Sequence, residues 1–312
     1  MINRKSAPQL GVGMDMPWGT EHGFEAFQTG DAVTPNIKAF FELNAHYFRH
    51  VFLAFQPKSR ATLKAEDYFP AFESFFDCCH NIPERALHHT MLNLAGEERY
   101  ARGALIEFTN RLVERFDIRW INEDVGIWSL HGKALPYPLP PILTERSLSL
   151  AVATVQEVKR QLAVPLILEF PGFTEGSAII IGDMHAYDYF RVLADETDSL
   201  VNLDTGHLIS YQYLKGSRGE DLGGEIDRLP LARCFEIHLA GSELSPTGFH
   251  DMHHGILLPQ QLTLLDCLIP RCSKLHAVTY EDPRFTQNGI LLEPTRPSFE
   301  LLRQIMTTPS VM

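Results

Sequence analysis

The chain has 312 residues, of which 45% are hydrophobic and 21% charged, a composition that excludes disorder and collagen-like repeats. The length suits one large domain or two modest ones. Acidic residues outnumber basic ones 39 to 27, a formal net charge of −12, which argues against a nucleic-acid partner because phosphate binding needs basic surface.

From the N-terminus, Met1 to Gln9 contains no apolar run, so no secretory signal is predicted. Short apolar runs then recur: Leu10 to Met14, Val51 to Phe55, Ala86 to Leu92, Ile118 to Asp124, Leu166 to Phe170, Ser199 to Asp204, Phe235 to Ala240, and Ala277 to Glu281. Runs this short and this continuous are the pattern of strands buried on both faces, as in a parallel sheet. Helical spacing falls between them. Arg99 to Phe116 carries Leu105, Phe108, Leu112 and Val113 on one face, and Ser147 to Leu162, Asp183 to Ala194 and Pro259 to Leu268 behave alike. The alternation predicts an α/β fold, a (β/α)8 TIM barrel, as one domain over residues 1–312. No GxGxxG follows the first run to favour an open doubly wound sheet.

Smaller features fit that reading. Leu135 to Pro141 (LPYPLPP) predicts a rigid loop within the domain, Gly216 to Gly224 a surface loop at the rim, and the Phe-rich region around Phe40, Phe41, Phe72 and Phe75 a core. No apolar run is long enough to span a membrane. The 5 cysteines form no CxxC, which suits reduced thiols and a cytoplasmic location with no membrane partner.

The 14 histidines are the outlying number. In a barrel of this kind the active site lies at the C-terminal strand ends. The third run carries His88 and His89, the fourth ends Asn122-Glu123-Asp124, and the fifth ends at Glu169. The sixth ends Asp204-Thr205-Gly206-His207, and the seventh carries Glu236-Ile237-His238, followed in its loop by Asp251-Met252-His253-His254. The eighth ends at Glu281-Asp282. Any one of these is commonly a hydrogen-bonded core residue or half of an ion pair. Together they supply the imidazoles and bridging carboxylates that a di- or trinuclear metal site needs. Without cations, burying so many acids would be prohibitive. The absence of cysteine from the rim disfavours thiolate zinc and iron–sulfur sites. Nitrogen and oxygen donors leave iron, manganese and zinc open.

Asp204-x-x-His207, His238, Asp251-x-His253 and Glu281, with Glu169 upstream, resemble the xylose-isomerase-like barrels, including the trinuclear zinc endonuclease that cleaves abasic DNA. That likeness implies, as the alternative function, a zinc or manganese hydrolase or isomerase. A second resemblance runs from about Leu10 to Phe285, to the multinuclear non-heme iron-dependent oxidative enzymes (DUF692). It is carried by Leu87-His88 with Leu92-Asn93-Leu94, Asn122-Glu123-Asp124 with Trp128, Leu135 to Pro141, Leu168 to Phe173, Leu203 to His207, Glu236 to Gly241, Asp251 to His254, and Tyr280 to Asp282. These spellings look closest to the branch that modifies cysteines in ribosomally made peptides, which contains the methanobactin, 3-thiaglutamate and chryseobasin biosynthesis enzymes. The chain departs from the wider family at Phe170, at Gly206-His207 and at Asn122-Glu123-Asp124.

The resemblance implies two or three iron ions, a mixed-valence Fe(II)/Fe(III) pair among them, with O2 as co-substrate. Hydrogen would be abstracted from the β-carbon of a peptidyl cysteine, leading to β-carbon excision or heterocycle formation. The implied ligands are His88, Glu123, Glu169, Asp204, His207, His238, Asp251, His253 and Glu281, with Glu123 or Glu169 bridging. Asn122, Asp124, His89, His254 and Asp282 would support them, and no catalytic side chain beyond the ligands is expected. The implied partners are a Cys-containing precursor peptide and a small protein that recognises its leader.

Overall fold

The computed structural model describes residues 8–15, 33–55, 64–90, 92–98, 102–175, 177–245 and 248–307. The start of the chain considered for a signal (up to residue 7) and residues 99–101 of the first predicted helix lie outside these.

Eight parallel strands close into a barrel. They are β1 (Gln9–Asp15), β2 (His50–Phe55), β3 (Glu84–His89), β4 (Ile118–Asp124), β7 (Leu166–Glu169), β8 (Leu200–Asp204), β9 (Cys234–Leu239) and β12 (Ala277–Glu281). Among the described residues two hairpins stand outside the barrel, β5 (Ile127–Leu130) with β6 (Lys133–Leu139) and β10 (Ser242–Leu244) with β11 (Phe249–Asp251). Closure is made by β1, which pairs in parallel with β2 and with β12. The helices are α1 (Pro35–Asn44), α2 (Phe69–Cys78), α3 (Arg102–Phe116), α4 (Glu145–Gln161), α5 (Ala186–Glu196), α6 (Thr205–Leu214), α7 (Pro259–Leu268) and α8 (Arg296–Thr307). All eight apolar runs are barrel strands, with ends shifted by a residue or so except in β3, which stops at His89 and leaves Leu92 in the following loop.

The helices form where apolar residues recur on one face. In α4, Leu148, Ala151, Val155 and Val158 face the barrel, and the Thr144 hydroxyl caps the first turn by accepting from Ser147 N. The main core lies between the sheet and this helical ring and includes Phe40, Phe41, Phe72, Phe75 and Phe76. Inside the barrel a smaller apolar plug is made by Phe52, Ala54, Ala86, Trp120 and Ile167.

Two loop expectations are corrected. Residues 135–139 of the LPYPLPP stretch are not a loop but part of β6, which pairs antiparallel with β5 through an irregular register. Proline is tolerated there because a two-stranded ribbon has an open edge on which no N–H is needed. Residues 216–224 do not lie at the active-site rim. They follow α6 and lead into β9, at the opposite end of the barrel, where Leu222 is fully buried. Among the described residues no helix is long and apolar enough to cross a membrane.

Candidate metal centre

Successive residues of a strand point to opposite faces, so each barrel strand presents every second residue to the interior. On the inner face stand His88 of β3, Asn122 and Asp124 of β4, Glu169 of β7, Asp204 of β8, His238 of β9 and Glu281 of β12. His207 comes from the first turn of α6, where Asp204 is the N-cap and its Oδ1 accepts from His207 N at 2.8 Å. One carboxylate therefore sets the helix that delivers the neighbouring imidazole. Asp251 ends β11, and His253 follows it in a left-handed conformation, φ 44°. Non-glycine residues adopt that region rarely and often at functional sites.

Among the described residues these side chains fall into five overlapping groups of possible ligands at the C-terminal mouth of the barrel. His88, Glu169, His238 and Glu281 each bring a donor atom within 4.8 Å of the others. Asp124, Glu169 and His207 form a second group, so Glu169 is shared. Asp204, His207 and Asp251 form a third group, Glu175, Asp251 and His253 a fourth, and Asp15, His253 and Asp282 a fifth. Glu175 Oε1 lies 2.7 Å from His207 Nε2. A Cβ at Gly172 would come within 2.4 Å of that same oxygen, so a larger residue there would displace the carboxylate from this position.

The donor geometry fits metal ions. His238 Nδ1 and Glu281 Oε1 lie 2.5 Å apart and are buried. Both atoms are directed at one point, as co-ligands of a single ion are. His88 Nδ1, Asp124 Oδ1, Asp204 Oδ2 and both oxygens of Asp251 are likewise buried without a hydrogen-bond partner, a state that costs free energy unless something else satisfies them. Among the described residues, the ion-pair partners of Asp124, Glu169, Glu175, Asp251 and Glu281 are all histidines. Divalent or trivalent cations would supply the missing positive charge.

The electrostatics tell the same story. Burial pushes Asp204 up to about 7, helped by Asp251, Glu281 and Glu169 against the opposing pull of His207. Burial likewise lifts Asp251 to about 6. For Glu169 burial acts upward too, but His238 and His88 outweigh it and hold the carboxyl well below its ordinary range. Burial would depress His88, yet Glu169 beside it raises the imidazole to about 9. Protons on the histidines thus stand in for the charge that metal ions would bring.

The family described as RiPP precursor modification enzyme MbnB/TglH/ChrH matches residues 62–294. The chain belongs to this family. A UPF0276 protein of Streptomyces avermitilis is 26% identical over 220 residues, 65% of this chain, and the chain spans 42% of the length of that relative. Among solved structures, a xylose isomerase domain protein from Alicyclobacillus acidocaldarius superposes with TM-score 0.52 at 15% identity, covering 95% of this chain and 98% of that one. Mannonate dehydratase from Streptococcus suis gives 0.53 at 9% identity, over 99% and 100%. These likenesses establish the xylose-isomerase-like barrel fold.

Eight of the nine ligands expected from the sequence of this family member are brought together; Glu123 is not. It sits on the outer face of β4. There its Oε1 accepts from Leu92 N at 2.6 Å and Asn93 N at 3.1 Å, fixing the loop after β3. Asp124, expected only as support, takes the inner position. The physical reason is the strand period: a shift of one residue reverses the face. His89 shares the outer face, between Glu123 at 3.4 Å and Thr109 of α3 at 2.9 Å. His254 is turned away from the cluster, its Nδ1 accepting from Ile256 N. Asp282, also in the left-handed region at φ 42°, does reach the site: its Oδ2 lies 3.2 Å from His253 Nδ1, and its Oδ1 accepts from Asp15 N. Asn122 lies one layer deeper, its Nδ2 donating to Glu236 Oε2. Sequence reasoning missed Glu175 and Asp15, both in candidate groups. Asp15, at the end of β1, was legible as a strand-end acid; Glu175 sits in a loop and carries no such signal.

Proposed function

We propose that the protein is an iron- and O2-dependent oxidase that modifies a cysteine of a ribosomally synthesised precursor peptide. The observation that carries this reading is the all-nitrogen-and-oxygen donor set with Glu169 shared between two groups, in a chain of the peptide-modifying family. In this reading His88, Glu169, His238 and Glu281 hold one ion, Asp124 and Glu169 a second, and Asp204, His207, Asp251, His253 and Glu175 a third or complete the second. The ions would bind the substrate thiol, lower its pKa and activate O2 for removal of a β-hydrogen.

The protein's own residues orient and enclose. His207 donates Nδ1–H to the Phe170 carbonyl at 2.7 Å, which fixes its tautomer and turns Nε2 toward Glu175 and Asp251. Phe52 lies 5.1 Å from the His238 ring and 5.3 Å from that of His88, an apolar wall that excludes water from the inner side. A cavity of about 810 Å³ opens beside His253, Asp282 and Asp15, lined by Ile37, Arg284 and Phe285. That is room for a cysteine and its flanking backbone. The precursor would be presented by a small leader-recognising partner.

Reconstitution with Fe(II) under nitrogen, then exposure to O2 with a Cys-containing precursor, tests this. The expected result is O2 uptake coupled to a mass change on the peptide cysteine. A protein that retains zinc or manganese in preference to iron, and turns over under strict anaerobiosis, would instead be a hydrolase or isomerase.

A further inference from the structure

Beneath the metal centre lies a carboxylate that no part of that reading uses. Glu236 stands two residues before His238 on β9, on the same inner face, and is fully buried. Its Oε2 accepts from Trp120 Nε1 and Asn122 Nδ2, both at 2.9 Å. Its Oε1 lies 3.1 Å from His50 Nε2 and 3.2 Å from His238 Nε2, and also accepts from the Thr279 hydroxyl. Five side chains from β2, β4, β9 and β12 thus converge on one carboxylate. Space for the arrangement is made on β1: a Cβ at Gly11 would fall 1.7 Å from the His50 ring. A buried carboxylate is costly, and an apolar side chain of similar volume would fill a barrel interior at less cost. Its presence therefore calls for a role that an apolar residue lacks.

We infer that Glu236 is the positioning residue that fixes His238 as a metal ligand through Nδ1. An ionised carboxylate only accepts hydrogen bonds, so the His238 nitrogen facing it, Nε2, must carry the hydrogen. The lone pair is then on Nδ1, which faces Glu281 Oε1 at 2.5 Å and Glu169 Oε2 at 3.4 Å. Asn122 Nδ2 competes for the same nitrogen at 3.2 Å. If that amide donated to Nε2, the hydrogen would move to Nδ1 and the ring would be closed to metal. Glu236 Oε1, at the same 3.2 Å, is a charged acceptor, and hydrogen bonds to a charged group are the stronger kind. Stacking on Phe52, at an interplanar angle of 30°, holds the ring plane while Glu236 sets its tautomer. The inference rests on the proposed metal centre but not on which metal it holds or which substrate it acts on.

Zinc titration against a chromophoric chelator tests it, comparing wild type, Glu236→Gln, Asn122→Leu and Thr279→Val, each first shown to be folded by circular dichroism. In Glu236→Gln one ion per chain should bind roughly 10–100-fold more weakly, the cost of losing a ligand's supporting hydrogen bond. The remaining ions should bind as in wild type, and Thr279→Val should stay within about threefold, because it keeps the carboxylate. Unchanged affinity in Glu236→Gln, or an equal loss in Asn122→Leu, overturns the inference. Should Glu236→Gln not fold, nitrogen-15 histidine NMR of zinc-loaded wild type decides instead. Metal on Nδ1 and hydrogen on Nε2 of His238 supports the inference, and the reverse overturns it. A wild-type chain that binds no metal removes the metal-centre reading itself, an outcome distinct from a metal-binding wild type with an indifferent Glu236→Gln.

Discussion

His88 and His89 are consecutive imidazoles on β3, and Glu123 and Asp124 are consecutive carboxylates on β4. Their chemistry is nearly interchangeable, but their surroundings are not. His88 and Asp124 face the barrel interior, where both belong to groups of possible metal ligands that include Glu169. His89 and Glu123 face the helical ring, where Glu123 holds the backbone amides of Leu92 and Asn93, and His89 meets Thr109. The outer pair supports the fold and the inner pair is poised for ligands. What separates them is one step along a strand.

The largest expected effect is on the inner face. Glu169 is shared by two groups, so Glu169→Gln should weaken retention of at least one ion by more than the roughly 10–100-fold that a supporting hydrogen bond costs. Elemental analysis after dialysis against a mild chelator reads this out. Full metal content in the variant would break the division between the two faces.

The next contrast sets neighbours against each other. Glu123→Ala should lower unfolding free energy by about 2–5 kcal/mol, because two buried amide N–H groups lose their acceptor and a cavity opens. Its metal stoichiometry should not change. Asp124→Asn should do the opposite, losing metal affinity while the metal-free protein stays as stable or gains stability through loss of a buried charge. Urea unfolding and metal analysis on both variants decide it.

The smallest effect is on pH dependence. In the metal-free protein His88 is raised to about 9 and Asp204 to about 7, so both carry protons at or near neutrality. A bound ion displaces them. Binding should therefore release protons, and affinity should rise as pH increases between about 6 and 9. Calorimetry of zinc binding in two buffers of different ionisation heat should show net release at pH 7. Net uptake would contradict the charge balance described for the inner face.

Much of the barrel was legible because strands buried on both faces read as continuous apolar runs, and all eight appear as such. The same continuity hid the phase of each strand. In Ile118–Asp124 nearly every residue is buried, so nothing in the spelling told which of Glu123 and Asp124 turned inward. Asp204 and His207 escaped that ambiguity, since the turn into α6 places both at the mouth. Glu175 lies in a loop, where side-chain direction follows from packing against Gly172 and His207 rather than from any period.

By itself, then, the sequence determined the order of strands and helices, the excess of acids and imidazoles at strand ends, and the family. Only the tertiary structure decided which of two adjacent ionisable residues joins the centre, and that Glu236 sits under His238 with donors from four strands. Burial on both faces erases the period-2 signal, and contacts between residues far apart in the chain, such as Trp120 and Glu236, exist only once the barrel has closed.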